Sequence, residues 1–94
     1  MTGEHAEAPY QVQFAPTSAK ELGRLRADDA ARLRRPILGL AFEPRPAGSR
    51  GIAGTRYLRL RVGDLRVIYA VMDEERRVVI TRIAKRSEHT YRRL

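Results

Sequence analysis

Five arginines in the second half of the chain, Arg59, Arg61, Arg66, Arg82 and Arg86, fall on or beside segments of strand-like alternation, and Lys85, His89 and Tyr91 lie close to the last of them. A guanidinium is a planar fork that matches phosphate oxygens in bidentate geometry. Several of them on adjacent strands would form a cationic surface that reads a phosphate backbone. The bland alternative is that arginines on an exposed sheet face only keep a small protein soluble. Tyr57, Tyr69 and Tyr91 are aromatic rings on which a splayed base could stack. Tyr69 sits deep in an apolar run and reads as core, whereas Tyr91 lies in a polar terminal segment. The imidazole of His89 titrates near neutral pH, as removal of a ribose 2′-hydroxyl proton or protonation of a departing 5′-oxygen requires. A single histidine on a helix is nonetheless more often a surface residue, and His5 lies in the polar opening of the chain.

Other chemistries are poorly supplied. The chain has no cysteine, which excludes thiolate metal sites, disulfides and a cysteine nucleophile. No HExxH, paired histidine or dense carboxylate cluster appears in the basic half, and Asp73-Glu74-Glu75 reads as a hairpin tip. Gly48, Gly51 and Gly54 lack the Lys-Ser/Thr ending of a nucleotide-binding loop. No metal or other cofactor is therefore expected. RNA cleavage by internal attack of the 2′-hydroxyl needs only positioning, charge stabilisation and proton shuttles, and stays open.

The elements that must position these residues come from a chain of 94 residues, 43% hydrophobic and 32% charged, with a formal charge of +8. This is one small basic globular domain with a modest core. Residues 1–49 hold seven basic and six acidic residues and residues 50–94 hold twelve and five, so the positive field belongs to the second half. Such an excess favours nucleic acid as partner, then an acidic protein, then an anionic membrane surface. No run approaches the ~18 apolar residues of a membrane span, and the polar opening lacks a signal-peptide core. A cytoplasmic location with no membrane partner is expected.

After a flexible leader over 1–8, Tyr10 to Phe14 alternates with period two and predicts a first strand within a single domain over 9–94. Ser18 with Glu21 three residues on predicts a capping box for a helix reaching about Arg26. Asp28 or Asp29 predicts the cap of a second helix carrying Leu33, Ile37 and Leu40, with Pro36 bending it or ending its first half near Arg35. Pro44 to Gly54 reads as a loop. Thr55–Val62, Leu65–Met72 and Arg77–Ala84 predict three hairpin-linked strands, and Ser87 to Leu94 a short helix. The architecture is α+β: a first strand, a helical pair on one sheet face, a three-stranded antiparallel meander joined to that strand, and a terminal helix. Arg59 and Arg61 then point away from Leu58, Leu60 and Val62 onto the open face. Register decides whether Arg66 joins them. Arg82 and Arg86 share the parity of Val78 and Ile80, and Arg86 lies at the strand end.

The stretch Gly54-Thr55-Arg56-Tyr57-Leu58-Arg59-Leu60-Arg61-Val62-Gly63-Asp64-Leu65-Arg66-Val67-Ile68-Tyr69 resembles the central hairpin of the RelE/ParE toxin superfamily of bacterial toxin–antitoxin systems. Arg82-Ile83-Ala84-Lys85-Arg86-Ser87-Glu88 with Tyr91 resembles its ending, and the helical hairpin followed by Pro44-Arg45-Pro46 also fits. For the RelE-like branch the resemblance implies metal-independent cleavage of messenger RNA in the ribosomal decoding site. By residue, it implies that Arg59 and Arg66 hold the scissile phosphate and its developing charge, that Arg86 stabilises or helps protonate the leaving oxygen, and that Tyr91 stacks on the substrate base and assists as general base. Tyr91 follows Arg86 by five residues where many relatives have four. Arg59 stands where some relatives carry lysine, and a guanidinium is a poor proton donor; some members of the superfamily use a C-terminal histidine instead, so the resemblance implies that His89 transfers the proton. Tyr57, Arg61, Arg82 and Lys85 are expected to contact RNA.

Three functions follow from this reading: an endoribonuclease toxin acting on ribosome-bound mRNA, a ParE-like inhibitor of DNA gyrase without nuclease activity, or a noncatalytic RNA-binding domain. Joint presence of Arg59, Arg66 and Arg86 favours the first. A toxin of this charge is expected to pair with a cognate antitoxin that carries an amphipathic helix and acidic residues.

Overall fold

The computed structural model describes residues 9–86. The expected leader and terminal helix, and with them His89 and Tyr91, lie outside the described residues. Seven elements follow in order: β1 (Gln11–Phe14), α1 (Pro16–Arg24), α2 (Ala27–Gly39), β2 (Ser49–Gly51), β3 (Tyr57–Val62), β4 (Leu65–Met72) and β5 (Arg77–Lys85). They build an α+β fold around a five-stranded sheet of order β1-β5-β4-β3-β2. Strands β2 to β5 are antiparallel neighbours, and β1 lies parallel to β5 on the far edge.

Helix α1 starts earlier than the capping box predicted. Pro16 takes the first helical position, where its missing amide costs nothing and its fixed φ suits the helix. Ser18 therefore lies inside the first turn. It is fully buried, with Oγ 2.6 Å from the Ile80 carbonyl oxygen and 2.9 Å from that of Ala15, and so fastens the helix to β5. Glu21 also serves β5: its carboxylate accepts from the Ile83 amide at 2.7 Å and from Arg82 Nε at 3.0 Å. This covers backbone beyond Phe14↔Ile80, where pairing with β1 stops.

Helix α2 is capped by Arg26 rather than by an aspartate, with Asp28 and Asp29 in its first turn. Pro36 does not divide it. A proline inside a helix costs roughly 3 kcal/mol, but Leu33, Ile37 and Leu40 are all buried on both sides of it, and burial of such side chains contributes about 1.5–3 kcal/mol each. The stretch expected to be only loop contains β2, too short and too glycine-rich to show alternation. It pairs through Ser49↔Leu60, Arg50↔Arg59 and Gly51↔Leu58.

The core lies between the helices and one sheet face: Leu33, Ile37 and Leu40 pack with Leu60, Leu65, Val67, Tyr69, Val78, Ile80 and Ile83. Tyr69 is fully buried as expected, its hydroxyl donating to the Pro44 carbonyl at 2.8 Å. Burial pushes its phenol above the usual range.

Candidate functional site

Cross-strand register assembles the arginines. Directly paired residues of an antiparallel sheet share a face, and two rows cross the face opposite the core. One runs Arg50, Arg59, Ile68, Arg82 over β2 to β5; the next runs Arg61, Arg66, Ala84. Arg86 follows Ala84 by two residues, and its amide donates to the Asp64 carbonyl at 2.7 Å, which extends the ladder by one step. Arg59 on β3, Arg66 on β4 and Arg86 just past the end of β5 therefore come to one face.

Arg82 reaches that face through an irregularity. Ile68 pairs with Arg82 but Tyr69 pairs with Ile80, which leaves Thr81 as the extra residue of a β-bulge. Its hydroxyl donates to the Ile68 carbonyl at 3.1 Å. The bulge reverses parity: Val78 and Ile80 point into the core, yet Arg82, two positions after Ile80, points away from it. Simple alternation would have turned it inward. Arg82 nonetheless keeps its ion pair with Glu21 at 3.0 Å.

Two clefts lie among these side chains. Gly48, Arg50, Arg59 and Arg61 line one of about 280 Å³. Arg61, Gly63, Asp64, Arg66 and Arg86 line a depression of about 20 Å³ beside it, room for a group the size of a water molecule or a phosphate oxygen. Arg61 belongs to both. Tyr57 is 37% exposed and has the parity of Arg59. Arg50 is a site residue that the sequence does not reveal, because the three-residue β2 is too short to show alternation and leaves only a basic residue beside the glycines of the loop.

The electrostatics are unbalanced. Arg50 directly opposes Arg59, and Arg61 directly opposes Arg66, arrangements that destabilise a sheet. Among the described residues, none of the ion pairs involves any of these four. Cations are compensated elsewhere. At the far end of the sheet Arg45 binds Asp73 through both terminal nitrogens, at 2.9 and 3.3 Å, and Tyr10 donates to the same carboxylate at 2.7 Å. These bonds, that from Arg45 first, hold the Asp73 carboxyl below its ordinary range. Lys85 is on the helical side, with Nζ 2.8 Å from Asp29 Oδ2.

The surface thus presents four guanidinium groups, those of Arg50, Arg59, Arg61 and Arg66, that have no ion pair among the described residues, at two adjacent levels and with an aromatic ring alongside. It can bind at least two anionic groups joined by a chain, and it can stabilise negative charge developing on one of them. A larger cavity, about 550 Å³, lies apart from these arginines. It is an apolar groove on the helical side, lined by Val12, Phe14, Leu22, Ala30 and Leu38 among others.

A family model described as the ParE toxin of the type II toxin–antitoxin system parDE matches residues 12–90. No curated protein sequence matches the chain. Among solved structures, the toxin–antitoxin complex RelBE2 from Mycobacterium tuberculosis contains a chain 27% identical, with TM-score 0.77 over 86% of this chain and 95% of that one. The archaeal RelE–RelB complex from Pyrococcus horikoshii gives 27% identity and TM-score 0.74, over 85% of this chain and 98% of that one. The YoeB/ParE toxin from Agrobacterium tumefaciens, at 15% identity, shares the fold with TM-score 0.70 over 82% of this chain and 99% of that one. With 79 of its residues under the family model and its fold matched across both branches, the chain belongs to the ParE toxin family of type II toxin–antitoxin systems, within the RelE/ParE superfamily.

Proposed function

We propose that this toxin is a metal-independent endoribonuclease that cuts ribosome-bound mRNA and so inhibits translation in the cytoplasm. The observation that carries the reading is the pair of opposed arginine couples, Arg50 with Arg59 and Arg61 with Arg66, none of which has an ion pair among the described residues, the second couple lining a depression together with Arg86. A sheet that tolerates such repulsion gains from it when a polyanion binds. Arg66 and Arg86 embrace the scissile phosphate, with Arg59 and Arg61 on its flank. Arg50 holds the neighbouring phosphate, and Tyr57 offers a ring to a base.

In the reaction the 2′-oxygen attacks phosphorus and the bond to the 5′-oxygen breaks, leaving a 2′,3′-cyclic phosphate and a 5′-hydroxyl. The proton lost from the 2′-hydroxyl goes to a base and the 5′-oxygen gains one from an acid; His89 and Tyr91 are assigned to these transfers. Guanidinium groups fixed by strands carry the charge that accumulates on the phosphoryl oxygens, at no reorganisation cost.

A cognate antitoxin is the natural partner, as in the complexes to which the chain is similar. The apolar groove beside Phe14 and Leu38 suits the apolar side of an amphipathic helix, and acidic residues suit the arginine face. One observation favours a second reading: the matching family takes its name from ParE, and inhibition of DNA gyrase requires no cleavage of RNA.

Induction of the toxin followed by primer extension on abundant messages separates the two. Discrete breaks within translated frames, absent in Arg66→Ala, are expected. Intact messages together with inhibited supercoiling by purified gyrase would establish the second reading instead.

A further inference from the structure

We infer that Asp29 is a positioning residue for Arg86, acting through Lys85 and Arg32 to hold the end of β5 against the β3–β4 turn; the inference rests on the cleavage reading above. Asp29 lies on α2, on the side of the sheet away from the arginine face, and is only 4% exposed. A carboxylate so buried must be paired. Its Oδ2 accepts from Lys85 Nζ at 2.8 Å and its Oδ1 from Arg32 at 2.9 Å.

Two routes lead from it to Arg86. Lys85 is the preceding residue, and adjacent side chains of a strand point to opposite faces. Fixing Lys85 to the helical side therefore turns Arg86 toward the open one. The second route passes through Arg32, whose other terminal nitrogen lies 3.3 Å from Asp64 Oδ1 and 3.4 Å from the Val62 carbonyl. Its guanidinium occupies the space that a side chain on Gly63 would fill. The Asp64 carbonyl in turn accepts the Arg86 amide. One carboxylate thus ties together the turn that joins the strands of Arg61 and Arg66 and the strand end that carries Arg86. Arg61, Arg66 and Arg86 line one small depression at that turn, so the placement of the end of β5 sets where Arg86 stands relative to the other two. Asp29 fixes that placement from behind the sheet.

The test uses the full-length toxin on ribosomes programmed with a short message, read as single-turnover cleavage. Asp29→Asn keeps the shape and removes the charge. Its rate at saturation should fall about 10- to 100-fold, the scale of a misplaced reacting geometry, while the half-saturating concentration stays within about threefold because Arg50, Arg59 and Arg61 still bind. Lys85→Met should behave likewise, and Lys85→Arg should recover most of the rate. Added to Arg86→Ala, Asp29→Asn should cost little more; a full additional loss in that background would show that Asp29 acts elsewhere and overturn the inference. Hydrogen exchange gives an independent readout: the Arg86 amide should exchange faster in Asp29→Asn while the Tyr69 amide keeps its rate. An unchanged Arg86 amide overturns the tie whatever the cleavage assay shows. Should Asp29→Asn not fold, Lys85→Met carries both measurements. Should the parent toxin cut nothing, the cleavage reading falls, and exchange at Arg86 still decides the tie.

Discussion

Replacing Arg66 with glutamine should cripple the toxin and leave its fold as stable as before, or slightly more so. Arg66 faces Arg61 directly across β3 and β4. Directly opposed residues have Cβ atoms about 4.5–5.5 Å apart; for an assumed charge separation of about 6 Å, two unit charges repel by about 0.7 kcal/mol at the dielectric of water and about 2.8 kcal/mol at an effective dielectric of 20. Screening at physiological salt removes roughly half of this. With part of the aliphatic stem retained in Arg66→Gln, the balance is a gain of about 0.5–1 kcal/mol at low ionic strength, fading as salt rises. Cleavage should fall by about 10²–10³, the usual cost of removing one preorganised charge from a developing oxyanion. Urea unfolding at low and at 1 M salt measures the first quantity, and single-turnover cleavage on programmed ribosomes the second. A salt-independent destabilisation above about 1 kcal/mol would mean that Arg66 holds the fold together. Cleavage within threefold of the parent would remove it from the reaction.

Ser18→Ala should destabilise the protein by about 1 kcal/mol in urea titration, the net value of a hydrogen bond whose acceptor keeps another donor, since the Ile80 carbonyl still receives the Ala15 amide at 2.9 Å. Gly63→Ala should cost about 1–3 kcal/mol in thermal unfolding, because φ is +62° and the new methyl group meets the Arg32 guanidinium. Acid should unfold the protein through its aspartates. Lys85 first, with Arg32, holds Asp29 below the ordinary carboxylate range, and Arg45 first, with Tyr10, does so for Asp73. The unfolded chain binds protons to these groups more readily than the folded one, so their contribution is complete above about pH 4 and is lost as pH falls through the depressed folded values. Asp73→Asn should flatten the fall in urea midpoint as pH drops below about 4, and a profile identical to the parent's would show that the pairing contributes nothing.

The α+β class, the helical pair, the three long strands and the burial of Tyr69 were legible in the sequence, because each rests on local periodicity: apolar residues at every second or every third and fourth position have one way to hide from water. The placement of Arg59 and Arg61 opposite Leu58, Leu60 and Val62 follows from the same rule. What one strand's alternation cannot contain is its neighbour's register. That Arg61 meets Arg66, that Arg50 on a three-residue strand meets Arg59, and that a bulge at Thr81 brings Arg82 to the same face all depend on partners distant in the chain. Long-range pairing likewise turned Ser18 and Glu21 from a capping box into fasteners for β5, kept α2 whole across Pro36, and paired Lys85 with Asp29. Local pattern fixes which side of an element is apolar; only the packed sheet decides which charges end up side by side, because that choice is made by hydrogen-bond register between segments whose sequences hold no record of one another.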